Sequence, residues 1–119
     1  MDIKNAHLAF SAIGQTTRLH IFRLLIKAGS KGLVAGDIGD MLGVRQNTLS
    51  NNLSVLVNVG LIRNQREGRC IRYFADFNGM RRLLGYLLHD CCGASRPACE
   101  ALVDSIVSDV SAYRTNLGV

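Results

Sequence analysis

Three of the chain's four cysteines, Cys91, Cys92 and Cys99, fall within nine residues. Thiolates are soft, nucleophilic ligands. Cysteines gathered this closely therefore point to metal binding or redox chemistry wherever the surroundings keep them reduced. Gly93 and Pro97 lie inside the same stretch and break the helical pattern on either side, so a ligand held there would change how two helices meet. Phosphatases and arsenate reductases that work through a thiol commonly use a Cys-x5-Arg loop. Here the spacers from Cys91 and Cys92 to Arg96 are four and three residues. No strand or glycine-rich cradle precedes them, and an enzyme is not expected. A disulfide among these cysteines would instead sense oxidant or sulfide. His89 stands three residues before Cys92, on the same helical face, and would complete a four-ligand zinc or cadmium site.

The compartment follows from the ends and the hydropathy. The opening residues Met1-Asp2-Ile3-Lys4-Asn5 lack the basic-then-apolar layout of a signal peptide, and no run of apolar residues is long enough to span a membrane. The expectation is a cytoplasmic protein with reduced thiols. At 119 residues the chain is read as one domain, residues 1–119, with a single core. Its formal charge is +5, which suits an anionic partner such as nucleic acid.

The elements that must carry the cysteines come next. Ile3, Ala6, Phe10 and Ile13 recur at helical steps and give a first helix one narrow apolar face, ended by Gly14. Thr16 or Thr17 caps a second helix with Ile21, Leu24, Leu25 and Ala28 inward, and Gly29 stops it. Arg18, His20, Arg23 and Lys27 lie mostly off that stripe, and His20 reads as a surface or boundary residue. Residues 33–43 form a short helix with Val34, Ile38, Met41 and Leu42 inward. Gly43-Val44 is a tight turn, and residues 45–58 form a longer helix with Leu49, Leu53, Leu56 and Val57 inward. Two helices joined by so short a turn containing glycine make the helix-turn-helix layout.

The outer face of that longer helix carries Gln46, Asn47, Thr48, Ser50, Asn51 and Ser54, with Arg45 at its head. An ordinary solvent face is rich in Lys and Glu. Short neutral amides and hydroxyls are what base edges and phosphates pair with. After Gly60 the period changes. Residues 61–66 and 69–74 read as two strands flanking Glu67-Gly68, decorated by Arg63, Arg66, Arg69 and Arg72. A basic hairpin after a helix-turn-helix is a wing, and Arg66 and Arg69 are its expected phosphate or minor-groove contacts. Cys70 within it reads as an inert packing residue.

Asn78 is a candidate cap for a helix running to about Cys92, with Met80, Leu83, Leu84, Leu87 and Leu88 apolar. Ser95 and Pro97 suit the start of a last helix with Leu102, Val103, Ile106, Val110 and Tyr113 as its stripe. The expected fold is mainly α: a winged helix-turn-helix with a two-stranded β-wing, forming a homodimer through the first and last helices. A two-fold dimer matches palindromic half-sites on double-stranded operator DNA.

With Thr17-Arg18-Leu19 opening the second helix, residues 46–56 as recognition helix, and Val59-Gly60-Leu61-Ile62 followed by Glu67-Gly68-Arg69 leading into the wing, essentially the whole chain resembles the ArsR family of metal- and metalloid-responsive repressors. The family often has Ser where Arg45 stands, and His-His or Arg-His where Asn51-Asn52 stands. Its zinc-type sensors use carboxylates and histidines on the last helix. That helix here offers Asp104 and Asp109 but no histidine, and residues 33–43 lack the Cys-x-Cys of the family's best-known arsenic site. What remains resembles the subgroup with a Cys-Cys pair and a third Cys after the fifth helix. The resemblance implies that Cys91, Cys92 and Cys99 bind As(III) or Sb(III) as inducer and release the repressor from DNA. The chemistry agrees, because trivalent arsenic keeps a lone pair and takes three ligands in a pyramid, whereas a structural zinc site closes with four.

Overall fold

The computed structural model describes residues 1–89 and 96–116. Residues 90–95 and 117–119, and the side chains of residues 111–116, lie outside that description. The expected cap Ser95 and the stripe residue Tyr113 fall in these parts. The chain divides into two compact units, residues 1–86 and 87–119.

In the first unit, α1 (Ile3–Ile13) buries Ala6, Ala9 and Ala12, so its inner face is an alanine face. The expected stripe is corrected here: Ile3 is 73% exposed and Phe10 36%. Small side chains let α1 approach its neighbours closely, and the larger residues are turned outward. Helix α2 (Thr16–Ala28) buries Ile21, Phe22 and Leu25. Its cap is Gln15, not Thr16 or Thr17, because the Gln15 side chain accepts from the Arg18 amide at 2.8 Å.

A 3₁₀ turn, Gly29–Lys31, leads to β1 (Leu33–Val34) and α3 (Ala35–Leu42). The short helix thus starts later than its sequence suggests. Gly32, buried at φ 59° with Phe74 packed where a Cβ would stand, lays Leu33 and Val34 along β3 (Cys70–Ala75), opposite Tyr73 and Arg72. Met41, expected inward, is 60% exposed. Ile38 fills the buried position of α3. Gly43 turns the chain at φ 64°, a left-handed conformation that costs other residues, and α4 (Gln46–Asn58) follows. Leu49, Leu53 and Leu56 of α4 join Ile21, Leu25, Ile38, Leu61 and Ile62 in the core.

Strands β2 (Ile62–Glu67) and β3 pair antiparallel, and β1 on the other edge makes the sheet three-stranded, order β1-β3-β2. The hairpin loop is Gly68-Arg69, one residue later than expected, with Gly68 at φ 62°. The register explains the shift. A loop at 67–68 would set Arg66 opposite Arg69 and Arg63 opposite Arg72, two like-charged pairs. The observed register sets Arg63 opposite Phe74, with the guanidinium 4.3 Å from the ring centroid.

Helix α5 (Phe77–Leu88) is capped by Asp76, not Asn78: the Asp76 carboxylate accepts from the Gly79 amide at 3.1 Å. The helix buries Gly79 and Leu83 and ends before the expected Cys92. Past Leu83 the side chains of this helix are exposed apart from the half-buried Tyr86 and Leu88. In the second unit, α6 (Arg96–Asn116) spans 21 residues with Pro97 in its first turn, where a missing amide hydrogen costs nothing. No helix among the described residues is long and apolar enough to cross a membrane.

Candidate nucleic-acid interface

Helix α4 presents one continuous polar face. Arg45, Gln46, Asn47, Thr48, Ser50, Asn51 and Ser54 are all exposed. Leucines at 49, 53 and 56 turn the opposite face inward and leave these side chains free to meet a ligand in a groove. Arg45 occupies the N-cap position, and no side chain caps the helix there. The first backbone amides of α4 therefore keep their hydrogens for an outside acceptor such as a phosphate oxygen.

Asn52 departs from its neighbours. It is 8% exposed and belongs to the inner face, so it does not extend the polar surface with Asn51. Its Oδ1 accepts from Arg18 Nη1 at 3.0 Å. Arg18, read from the sequence as lying off the inner stripe, is half-buried, and its Nε also donates to the Ala12 carbonyl. Both residues were legible by spacing. Asn52 stands in phase with Leu49, Leu53 and Leu56, and Arg18 in phase with Ile21, Phe22 and Leu25. A polar residue inside each of two apolar stripes calls for a partner.

The wing projects from the core: beyond Ile62 every residue of β2 is exposed. Its arginines are not equivalent. Arg63 stacks on Phe74. Arg72 pairs with Glu67 at 3.0 Å and donates from Nη1 to the Lys31 carbonyl at 3.1 Å, tying the wing to the 3₁₀ turn. Arg66 reaches the Gly68 carbonyl through Nε at 3.3 Å, leaving its outer nitrogens free to donate elsewhere. Arg69 sits in the loop at the tip. Arg66 and Arg69 thus remain free to meet a phosphate. Cys70, expected to pack, is exposed, because it forms the last pair of the hairpin with Glu67, beyond the core.

The expected thiolate site is described only in part. Cys91 and Cys92 lie outside the described residues. Cys99 is half-buried in the first turns of α6, and His89 is exposed after α5. Arg96, beside Cys99, pairs with Glu100 at 2.9 Å. Among the described residues no three His, Cys, Asp or Glu side chains stand close enough to hold a metal.

A helix-turn-helix with an exposed hydrogen-bonding helix, followed by a basic hairpin, defines a winged helix-turn-helix protein. Residues 13–65, from the end of α1 into the wing, match the helix-turn-helix domain family. No curated protein sequence matches the chain. Among solved structures, it is similar to an ArsR-like transcriptional regulator from Rhodococcus sp. RHA1, with 20% identity, 94% of this chain and 92% of that one covered, and a TM-score of 0.63. The homodimeric winged helix-turn-helix DNA-binding domain of a possible ArsR-family regulator from Mycobacterium bovis gives 23% identity, 73% and 85% coverage, and a TM-score of 0.61. A possible transcriptional regulator for arsenical resistance gives 18%, 81% and 94%, and 0.60. The fold is the winged helix-turn-helix that these regulators share.

Proposed function

We propose that this chain is an ArsR-family transcriptional repressor that binds operator DNA as a homodimer in the cytoplasm and lets go when As(III) or Sb(III) binds Cys91, Cys92 and Cys99. The observation that carries the DNA reading is the outer face of α4, where every exposed side chain from Gln46 to Ser54 is neutral and hydrogen-bonding. In this reading Gln46, Asn47, Ser50, Asn51 and Ser54 meet base edges in the major groove. Arg45 and Thr48 at the helix head, with Arg66 and Arg69 on the wing, hold phosphates.

The inducer reading rests on the donor set and on the sequence resemblance. Three thiols within nine residues suit a trivalent, thiophilic centre. One of the proteins of similar structure is a possible transcriptional regulator for arsenical resistance. The homodimer is supported by the Mycobacterium bovis domain and by the exposed apolar residues of α1 and α6. Ligand capture by these cysteines alters the spacing of the two recognition helices, and a coupling of about 1–3 kcal/mol weakens DNA binding roughly 5- to 150-fold.

The test is DNA release under reducing conditions. A labelled duplex from upstream of the chain's own gene is followed by anisotropy while arsenite, antimonite, zinc or cadmium is added. The trivalent metalloids are expected to release it, and a C91S/C92S/C99S variant to bind the duplex but ignore them. A variant that still responds would remove the three cysteines from the site. Release by zinc or cadmium would bring in His89.

A further inference from the structure

Arg18 holds two helices at once. Its Nε donates to the carbonyl of Ala12, in the last turn of α1, where no helical amide is available to satisfy it. Its Nη1 donates at 3.0 Å to Oδ1 of Asn52, in the middle of α4. The arginine is itself held at the start of α2, where its amide donates to the Gln15 side chain at 2.8 Å. Three helices therefore meet at one guanidinium. The other buried residues of α4 are leucines, and apolar packing is non-directional: Leu49, Leu53 and Leu56 tolerate a small rotation or slide of the helix. A hydrogen bond weakens steeply with angle, and a buried amide that loses its donor pays the cost of desolvation.

We propose that Arg18 and Asn52 are positioning residues for DNA recognition, fixing the rotation of α4 relative to α1 and α2 so that Asn51 and its neighbours meet the bases in register. This rests on the DNA reading above and adds to it. Asn52 is adjacent to Asn51, so the inward bond of one sets the outward direction of the other. The planar fork of arginine is required, because two of its nitrogens point in fixed directions to two acceptors, whereas a lysine gathers its donors on a single rotating nitrogen and fixes no angle between them. The Ala12 bond extends the device to α1, whose exposed Ile3, Leu8 and Phe10 are part of the proposed dimer surface.

The experiment begins with a duplex selected from a random library by the wild-type protein, paired with a scrambled duplex of equal length. Affinities for both are measured over a salt series for wild type, Arg18→Lys, Asn52→Leu and Asn52→Asp, with circular dichroism to confirm folding. Arg18→Lys and Asn52→Leu are expected to lose about tenfold in the ratio of selected to scrambled affinity, within the usual range of coupling between sites. Their salt dependence stays that of wild type, because the phosphate contacts remain. Asn52→Asp keeps an acceptor for Arg18 and restores the ratio. A purely structural role would lower thermal stability and leave the ratio of the folded protein unchanged, which overturns the proposal. So does an Asn52→Asp protein as undiscriminating as Asn52→Leu. If Asn52→Leu does not fold, Arg18→Lys and Asn52→Asp decide the matter. A wild-type protein that enriches no duplex removes the DNA reading itself, and this inference with it. Enrichment by wild type with full discrimination by Arg18→Lys removes only the inference.

Discussion

The four arginines of the wing share a charge but not a task. Arg72 is committed to Glu67 and the Lys31 carbonyl, and Arg63 to the face of Phe74. Arg69 stands at the tip. Replacing Arg69 with Ala is expected to weaken binding to every duplex alike and to lower the slope of log affinity against log salt by about 1, the signature of one lost phosphate contact. Arg72→Ala is expected to leave that slope unchanged. Because the Arg72–Glu67 pair is partly exposed, its loss costs no more than about 1 kcal/mol in a denaturant titration. Equal salt slopes for the two variants would contradict this division. The sequence showed four arginines at three-residue steps, but not which were already paired. That depends on the hairpin register, and a loop misplaced by one residue changes every cross-strand partner.

At the scale of the element, α4 begins without a capping side chain. Arg45 sits at the N-cap, where the related pattern often has Ser. Arg45→Ser is expected to stabilise the fold by about 1 kcal/mol, because a serine oxygen accepts from an otherwise free amide of the first turn. The same substitution is expected to reduce DNA affinity, since it removes a cation and occupies an amide that a phosphate would use. Opposite signs in the two measurements would show a helix start kept open for its ligand. Lower stability would mean that Arg45 makes a contact of its own. The polar face of α4 and its leucine stripe were both plain in the spacing. The alanine face of α1 was not, because a search for large apolar residues favours Ile3 and Phe10, and the close approach that selects Ala6, Ala9 and Ala12 depends on the neighbouring helices. Strand β1 escaped for a similar reason: two residues carry no period, and only the buried Gly32 against Phe74 places them on the sheet.

For the whole molecule, the unfinished part is α6. Leu102, Val103, Ile106, Val107 and Val110 fall at helical spacing and are 39–58% exposed. A helix in water gains most of its stability from packing an apolar face, and among the described residues of its own unit nothing covers this one. A second copy of the chain is the cover the proposed function supplies. Ile106→Asp places a charge in the middle of the stripe and is expected to shift the protein to monomer in sedimentation, leaving residues 1–86 folded. Operator binding should then fall far more than binding to an isolated half-site. A dimer that has docked one recognition helix presents the second at an effective concentration on the order of millimolar, and a monomer forfeits that gain. Wild type and variant should bind a single half-site equally, because α4 and the wing are untouched. Should the variant stay dimeric, α6 is not the interface. Should it become monomeric yet keep full operator affinity, two-fold recognition is not how this winged helix reads DNA.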